Sequence, residues 1–175
     1  MGWLAWVGLA VAGASEDGAF DVRAEGVVPA QAEAVSLAVA DLARMRGLVP
    51  PDCIGRWQLG HRTEGEGATA EVRYDIALLH RTLPLVVSKV VPGRYVDWDH
   101  PGPRGFVTRW TLTRVDPFSG RPEVNGAATH VRVESFFAPP PRVVRGYYRR
   151  VIQPEWETCQ ARTVQALARS LADTP

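Results

Sequence analysis

A length of 175 residues fits one ordinary domain, and at that size roughly 70% of the unfolded surface is buried on folding without help from a metal. A composition of 46% hydrophobic and 22% charged residues is globular. The net charge of +1 argues against a nucleic-acid partner, which calls for a strong basic excess.

The chain opens on an uncharged apolar run, Trp3 to Ala12, followed by Ala12-Gly13-Ala14 and then Ser15-Glu16-Asp17-Gly18. The run has the length of a signal-peptide core, and Ala12 and Ala14 are the two small residues of a signal-peptidase site. Residues 1–14 therefore read as a signal peptide and 15–175 as a single domain, periplasmic or secreted. No Lys or Arg precedes the run, and the other reading is an N-terminal core helix or tail in a cytoplasmic protein. No Cys follows the run, so nothing points to a lipoprotein anchor, and Trp6 stands where myristoylation needs Ser or Thr.

Phe20, Val22 and Ala24 alternate with charged residues, the period-2 pattern of a half-buried strand. Pro29 suits the first turn of a helix, whose apolar face is expected from Ala32, Val35, Leu37, Val39, Leu42 and Met45, and which Gly47 and Pro50-Pro51 end. Strand-like runs follow: Trp57 to His61, Val72 to Leu78, Leu83 to Val91, Tyr95 to Trp98, Phe106 to Leu112, and Val131 to Ser135. Hairpin-length spacers such as Gly65–Gly67 and Pro92-Gly93 between them predict an antiparallel meander. A long helix is expected from about Arg142 to Leu171. Its apolar stripe runs through Val144, Tyr148, Val151, Ile152, Cys159, Thr163, Leu167 and Leu171, with a kink or short break at Pro154. One amphipathic sheet needs a cover, and this helix is the long element available, so the sheet is expected to curl around it.

Alternation selects the side chains that face the helix. They are Trp57, Leu59 and His61 on the first run, Tyr74 and Ile76 on the second, and Trp98 on the fourth. The next strands add Thr108, Trp110 and Leu112, then Val131, Val133 and Ser135, and the helix adds Tyr148 and Ile152. Aromatic and apolar walls with a few polar tips are what small-molecule pockets present, and equally what ordinary cores present. His61 shares the face of Trp57 and Leu59, so it is an inward acid/base group, a rim residue or a histidine satisfied in the core. Asp97, Asp99 and His100 read as a solvated strand end, and His130 belongs with Arg132 and Glu134 on the outward face.

The four histidines show no metal spacing, and neither a nucleophile elbow nor a phosphate loop is present, so neither metal nor cofactor is expected. Cys53 and Cys159 either form one disulfide that closes a long loop or are two buried thiols. Arg142, Arg145, Arg149 and Arg150 surround Tyr147 and Tyr148. They read as a solvated helix face or as a transient contact with an anionic membrane surface. Their place at the positive end of a helix dipole is unfavourable.

The element order resembles the START-like helix-grip superfamily, especially its polyketide cyclase/dehydrase and lipid-transport group, over roughly Phe20 to Leu171. The local likenesses are Pro29-Ala30 before the amphipathic helix, Gly67-Ala68-Thr69, Val96-Asp97-Trp98, and Thr129 to Val133 before the last helix. The resemblance implies an α+β fold with a curved antiparallel sheet of six to seven strands around a long C-terminal helix. It also implies a cavity for a hydrophobic, lipid-like or polyketide-like small molecule. Binding or carriage is the expected function, with a cyclase/dehydratase-type enzyme or an interaction module with a packed core as alternatives.

Overall fold

The structure is a computed structural model that describes residues 20–77, 79–102, 105–138 and 141–172. The expected signal peptide, residues 1–14, lies outside the described residues.

Seven strands form one antiparallel sheet in the order β1-β7-β6-β5-β4-β3-β2. They are β1 (Phe20–Val28), β2 (Ile54–Leu59), β3 (Thr69–Ile76), β4 (Leu79–Val91), β5 (Tyr95–His100), β6 (Phe106–Val115) and β7 (Ala128–Phe137). Strands β2 to β7 are a meander of sequential neighbours, and β1 joins its far end against β7, from Phe20 opposite Phe137 to Val28 opposite Thr129. The sheet curls into a half-barrel. Its concave face carries the alternating apolar set, with Val72, Leu85, Val96, Val131 and Val133 fully buried. The convex face carries ion pairs, among them Arg23 with Glu134. There Asp97 accepts two hydrogen bonds from Arg109 at 2.8 Å, and that guanidinium lies 4.9 Å from the Tyr95 ring centroid.

The helix expected after Pro29 is two helices, α1 (Ala32–Ala40) and α2 (Leu42–Leu48). Asp41 interrupts them in an extended conformation (φ −92°, ψ 98°), and its carboxylate caps α2 by accepting from the Arg44 N–H at 2.9 Å. Tertiary hydrogen bonds hold the break open, from Leu42 N–H to the Thr63 carbonyl at 2.8 Å and from Gly65 N–H to the Ala40 carbonyl at 3.0 Å. Leu37, expected on the apolar face, is instead 68% exposed. The buried face of α1 runs through Ala32, Val35, Ser36 and Val39, at spacings of three and four, and Leu37 lies outside it.

The C-terminal helical stretch starts irregularly. A 3₁₀ turn (Arg142–Val144), one α-turn, α3 (Arg145–Tyr147), and a π-turn (Tyr148–Ile152) precede α4 (Gln153–Ala172). Pro154 has no N–H to donate to the Arg150 carbonyl, and the Gln153 N–H reaches back five residues to the Tyr148 carbonyl instead. The disturbance expected at Pro154 is thus a π-turn just ahead of it. Val144, expected to open the apolar stripe, is exposed.

Helix α4 packs chiefly on β1. Gly26 permits this approach, since a β-carbon there would stand 3.0 Å from Val164 Cγ1. Three further ties fasten α4 to the corner between α2 and β2. They are the Cys53–Cys159 disulfide (Cα–Cα 5.8 Å), the Arg162–Asp52 ion pair at 2.6 Å, and Arg44 donating to Ser170 Oγ at 3.0 Å. Of the two expectations for the cysteines, the bonded one is observed. Among the described residues, no helix is long and apolar enough to cross a membrane.

Candidate functional site

The central strands place the site by register. Trp98 on β5 faces Thr108 on β6, which faces Ser135 on β7; one step along, Val96, Trp110 and Val133 form the next row. All six point to the concave face, where α4 lays Trp156, Gln160 and Thr163 over them. The four-residue step from Ile152 to Trp156 to Gln160 keeps these side chains on one face of the helix. Helix and sheet do not close completely. A cavity of about 50 Å³ remains, walled by Tyr74, Ile76, Trp98, Thr108, Trp110 and Val133 from the sheet, and by Trp156, Gln160 and Thr163 from α4. Val49, Ile54 and the Cys53–Cys159 pair complete it. Val49 and Cys159 are half-buried, so the wall reaches the surface on the disulfide side.

Aromatic stacking builds one end of this wall. Tyr74 stacks on Trp156 with centroids 5.2 Å apart, and Trp156 meets Phe106 and Phe137 edge-on at 5.2 and 4.6 Å. Trp98 packs against Trp110 at 5.2 Å, and its indole N–H donates to the Val39 carbonyl at 3.2 Å. That bond satisfies a carbonyl that the end of α1 leaves open. The polar groups form two sets. Gln160 Nε2 donates to Ser135 Oγ at 2.7 Å, and Ser135 shares a 2.7 Å hydrogen bond with Thr108 Oγ1. Tyr74 Oη lies 2.6 Å from His100 Nε2.

His100 overturns the solvated strand end expected for it. Strand β5 continues through His100, which pairs with Phe106 of β6 and is fully buried, its ring stacked on that phenyl at 4.0 Å. Two residues beyond Trp98, it shares that residue's inward face. Burial pushes its pKa down to about 3, with the Phe106 backbone opposing, and burial raises that of Tyr74. Both groups are therefore neutral at ordinary pH and share one hydrogen bond, whose donor is set by the imidazole tautomer. A base of pKa about 3 is poorly matched to proton abstraction near neutrality.

Six of the side chains expected at the site line the cavity: Tyr74, Ile76, Trp98, Thr108, Trp110 and Val133. Leu112 and Val131 face each other across β6 and β7 and belong to the packed core, as does Ile152. Tyr148 and Leu59 pack on the core from half-buried positions, and Trp57 meets Trp98 edge-on at 6.5 Å without lining the cavity. His61 is exposed and does not reach the interior. Strand β2 stops at Leu59, and at Gly60 a β-carbon would stand 2.1 Å from Thr69 Oγ1, so the alternation does not carry on to residue 61. Trp156 and Gln160 were missed by the stripe drawn through Cys159 and Thr163, although their spacing from Ile152 is the helical signal that reveals them. Arg142, Arg149 and Arg150 are exposed beside the half-exposed Tyr147. Among the described residues, no group of three or more His, Cys, Asp or Glu side chains is placed to hold a metal ion.

No family model matches the sequence, and no curated protein matches it either. Solved structures do match. The solution structure of the KanY protein superposes with a TM-score of 0.70 at 16% identity, over 88% of this chain and 98% of that one. The Zhui aromatase/cyclase from Streptomyces sp. R1128 gives 0.66 at 14% identity over 88% and 94%. Truncated norcoclaurine synthase from Thalictrum flavum gives 0.64 at 9% identity over 90% and 96%. The chain has the helix-grip fold. Its seven-stranded half-barrel and long terminal helix are the arrangement that the resemblance implied. At these identities the helix-grip likeness fixes architecture and leaves the chemistry to the residues of this chain.

Proposed function

We propose that this helix-grip chain binds a hydrophobic small molecule between the concave sheet face and α4, as a carrier or binding protein. The observation that carries the reading is the aromatic-walled cavity under α4, where Trp98, Trp110, Tyr74 and Trp156 converge around polar tips. Its volume of about 50 Å³ is well below that of an ordinary ligand pocket, roughly 300–1,000 Å³. Uptake of a ring system therefore involves outward movement of α4 or its aromatic side chains. The Cys53–Cys159 bond supports an oxidising compartment and, with the apolar run at Trp3 to Ala12, a periplasmic or secreted protein.

The test is native mass spectrometry of the protein expressed with its own N-terminus, followed by organic extraction. The expected result is a chain beginning at residue 15 that carries a discrete apolar adduct. A bare chain that also shows no tryptophan quenching with a panel of apolar molecules would overturn the binding reading.

A cyclase-type enzyme is a second reading, favoured by the buried Tyr74–His100 pair beside the cavity and by the aromatase/cyclase of like fold. The low basicity of His100 weighs against it. If turnover of an extracted ligand is found and Tyr74→Phe abolishes it, the enzyme reading replaces the carrier one.

A further inference from the structure

The Cys53–Cys159 disulfide is itself part of the cavity wall. Cys53 is buried, while Cys159 and its fellow lining residue Val49 are half-buried. The bond therefore lies on the side where the wall reaches the surface.

Helix α4 is held differently along its two sides. Strands β1 and β2 are opposite edges of the sheet. Towards β1, α4 packs along the strand, Val164 sits over Gly26, and Gln153 Nε2 donates to the Asp21 carbonyl at 3.2 Å. On the same side Gln160 reaches Ser135 of β7. Towards β2, besides the disulfide, α4 has the Arg162–Asp52 ion pair and the hydrogen bond from Arg44 to Ser170. Both side chains of that ion pair are open to solvent, where such pairs contribute little. Cys53, in contrast, is fixed to the sheet, since its carbonyl accepts from the Asp75 N–H of β3 at 3.0 Å. The disulfide is the firm tie on the β2 side.

The bond limits how far helix and sheet can part. Bonded cysteines keep their Cα atoms within roughly 4.4–6.8 Å. Here the two are 5.8 Å apart, which leaves α4 about 1 Å of outward travel at Cys159. An aromatic ring lodged between helix and sheet needs about 3.5–4.0 Å to the atoms on each of its faces. A cavity of about 50 Å³ does not provide that room unless α4 draws back further than the closed bond allows.

We propose that the Cys53–Cys159 disulfide is a latch on the cavity. While closed it hinders ring-sized apolar molecules from entering or leaving, and its reduction by a dithiol lets α4 swing outward about its contact with β1. This rests on the binding function proposed above and names how access to that site is regulated. The dithiol supplies two electrons and two protons; its own sulfurs join in a disulfide, and Cys53 and Cys159 each end as a thiol. A molecule taken up in the open state is retained when the bond re-forms.

The experiment mixes the full chain, oxidised or reduced with dithiothreitol, with N-phenyl-1-naphthylamine in a stopped-flow instrument and follows the rise of probe fluorescence. Near-ultraviolet circular dichroism shows whether the reduced chain keeps its native packing. The expected result is a folded reduced chain that takes up the probe at least about tenfold faster than the oxidised one, equivalent to about 1.4 kcal/mol off the barrier. Probe loaded into the reduced chain should stay with it through gel filtration after reoxidation, and be lost without reoxidation. Cys53→Ser/Cys159→Ser should take up the probe at the fast rate and ignore dithiothreitol. Arg162→Ala, which breaks the neighbouring ion pair and keeps the bond, should remain slow when oxidised. Should the double serine chain fail to fold, the two forms of the unaltered chain decide alone. Equal rates in those two forms, or loss of native packing on reduction, would overturn the latch and leave the binding function standing. Failure of the probe to bind to either form would overturn both.

Discussion

The disulfide offers the sharpest quantitative test of how α4 is held. Cys53 and Cys159 are 106 residues apart, so their bond closes most of the chain into one loop. In the chain-entropy account, cross-linking a loop of about 100 residues removes enough freedom from the unfolded state to stabilise the fold by about 4.7 kcal/mol at 25 °C. That is a large share of the 5–15 kcal/mol, roughly, that a whole domain possesses. Reduction should lower the melting temperature by roughly 10–15 °C for a protein of this size. The assay is urea unfolding of three forms: oxidised, reduced, and the doubly substituted Cys53→Ala/Cys159→Ala chain. Because the effect acts on the unfolded state, the reduced chain should expand further and give a larger m-value as well as a lower midpoint. The alanine form should lose about 1 kcal/mol more, since Cys53 is buried and truncation leaves space beside the cavity. A loss on reduction below about 1 kcal/mol with an unchanged m-value would refute the reasoning, because the unfolded ensemble would then be indifferent to the link.

Acid should weaken the fold through His100. Its folded pKa is depressed to about 3 from 6.5, so the unfolded chain takes up the proton first. Its contribution is complete above about pH 6.5 and is lost as the pH falls, reaching about 2 kcal/mol by pH 5. A His100→Gln chain, which keeps a hydrogen-bond partner for Tyr74, should show a flatter stability profile between pH 7 and pH 4 by chemical denaturation. Trp156→Ala removes the ring that stacks on Tyr74 and meets Phe106 and Phe137. It should cost about 3–5 kcal/mol and enlarge the cavity enough for benzene binding to raise the melting temperature. Asp41→Ala takes the cap from α2 and should cost about 1 kcal/mol in urea unfolding.

Local patterning reached far into this protein. Alternation along β3, β6 and β7 sorted Tyr74, Ile76, Thr108, Trp110 and Val133 onto the inner face before any partner strand was known. The reason is that a strand's two faces are set by its own pleat. That the helix would be disturbed near Pro154 was visible for a similar reason, because a missing N–H is a property of one residue, although its form as a π-turn was not.

Features that depend on distant chain segments were not visible. The break at Asp41 exists because the loop through Thr63 and Gly65 supplies hydrogen bonds to it, some 20 residues downstream by the numbering. His100 stands next to Pro101 and Gly102, which locally signal a solvated turn, yet pairing with Phe106 carries β5 inward and buries it. His61 shows the converse, since an alternation continued on paper ends where Gly60 meets Thr69. The choice between bonded and free cysteines also waited on the fold, which sets Cys53 and Cys159 with their Cα atoms 5.8 Å apart. Faces and breaks follow from single residues and their neighbours. Which face meets which is decided only when β1 closes on β7 and α4 packs on β1 and reaches Ser135 of β7 through Gln160.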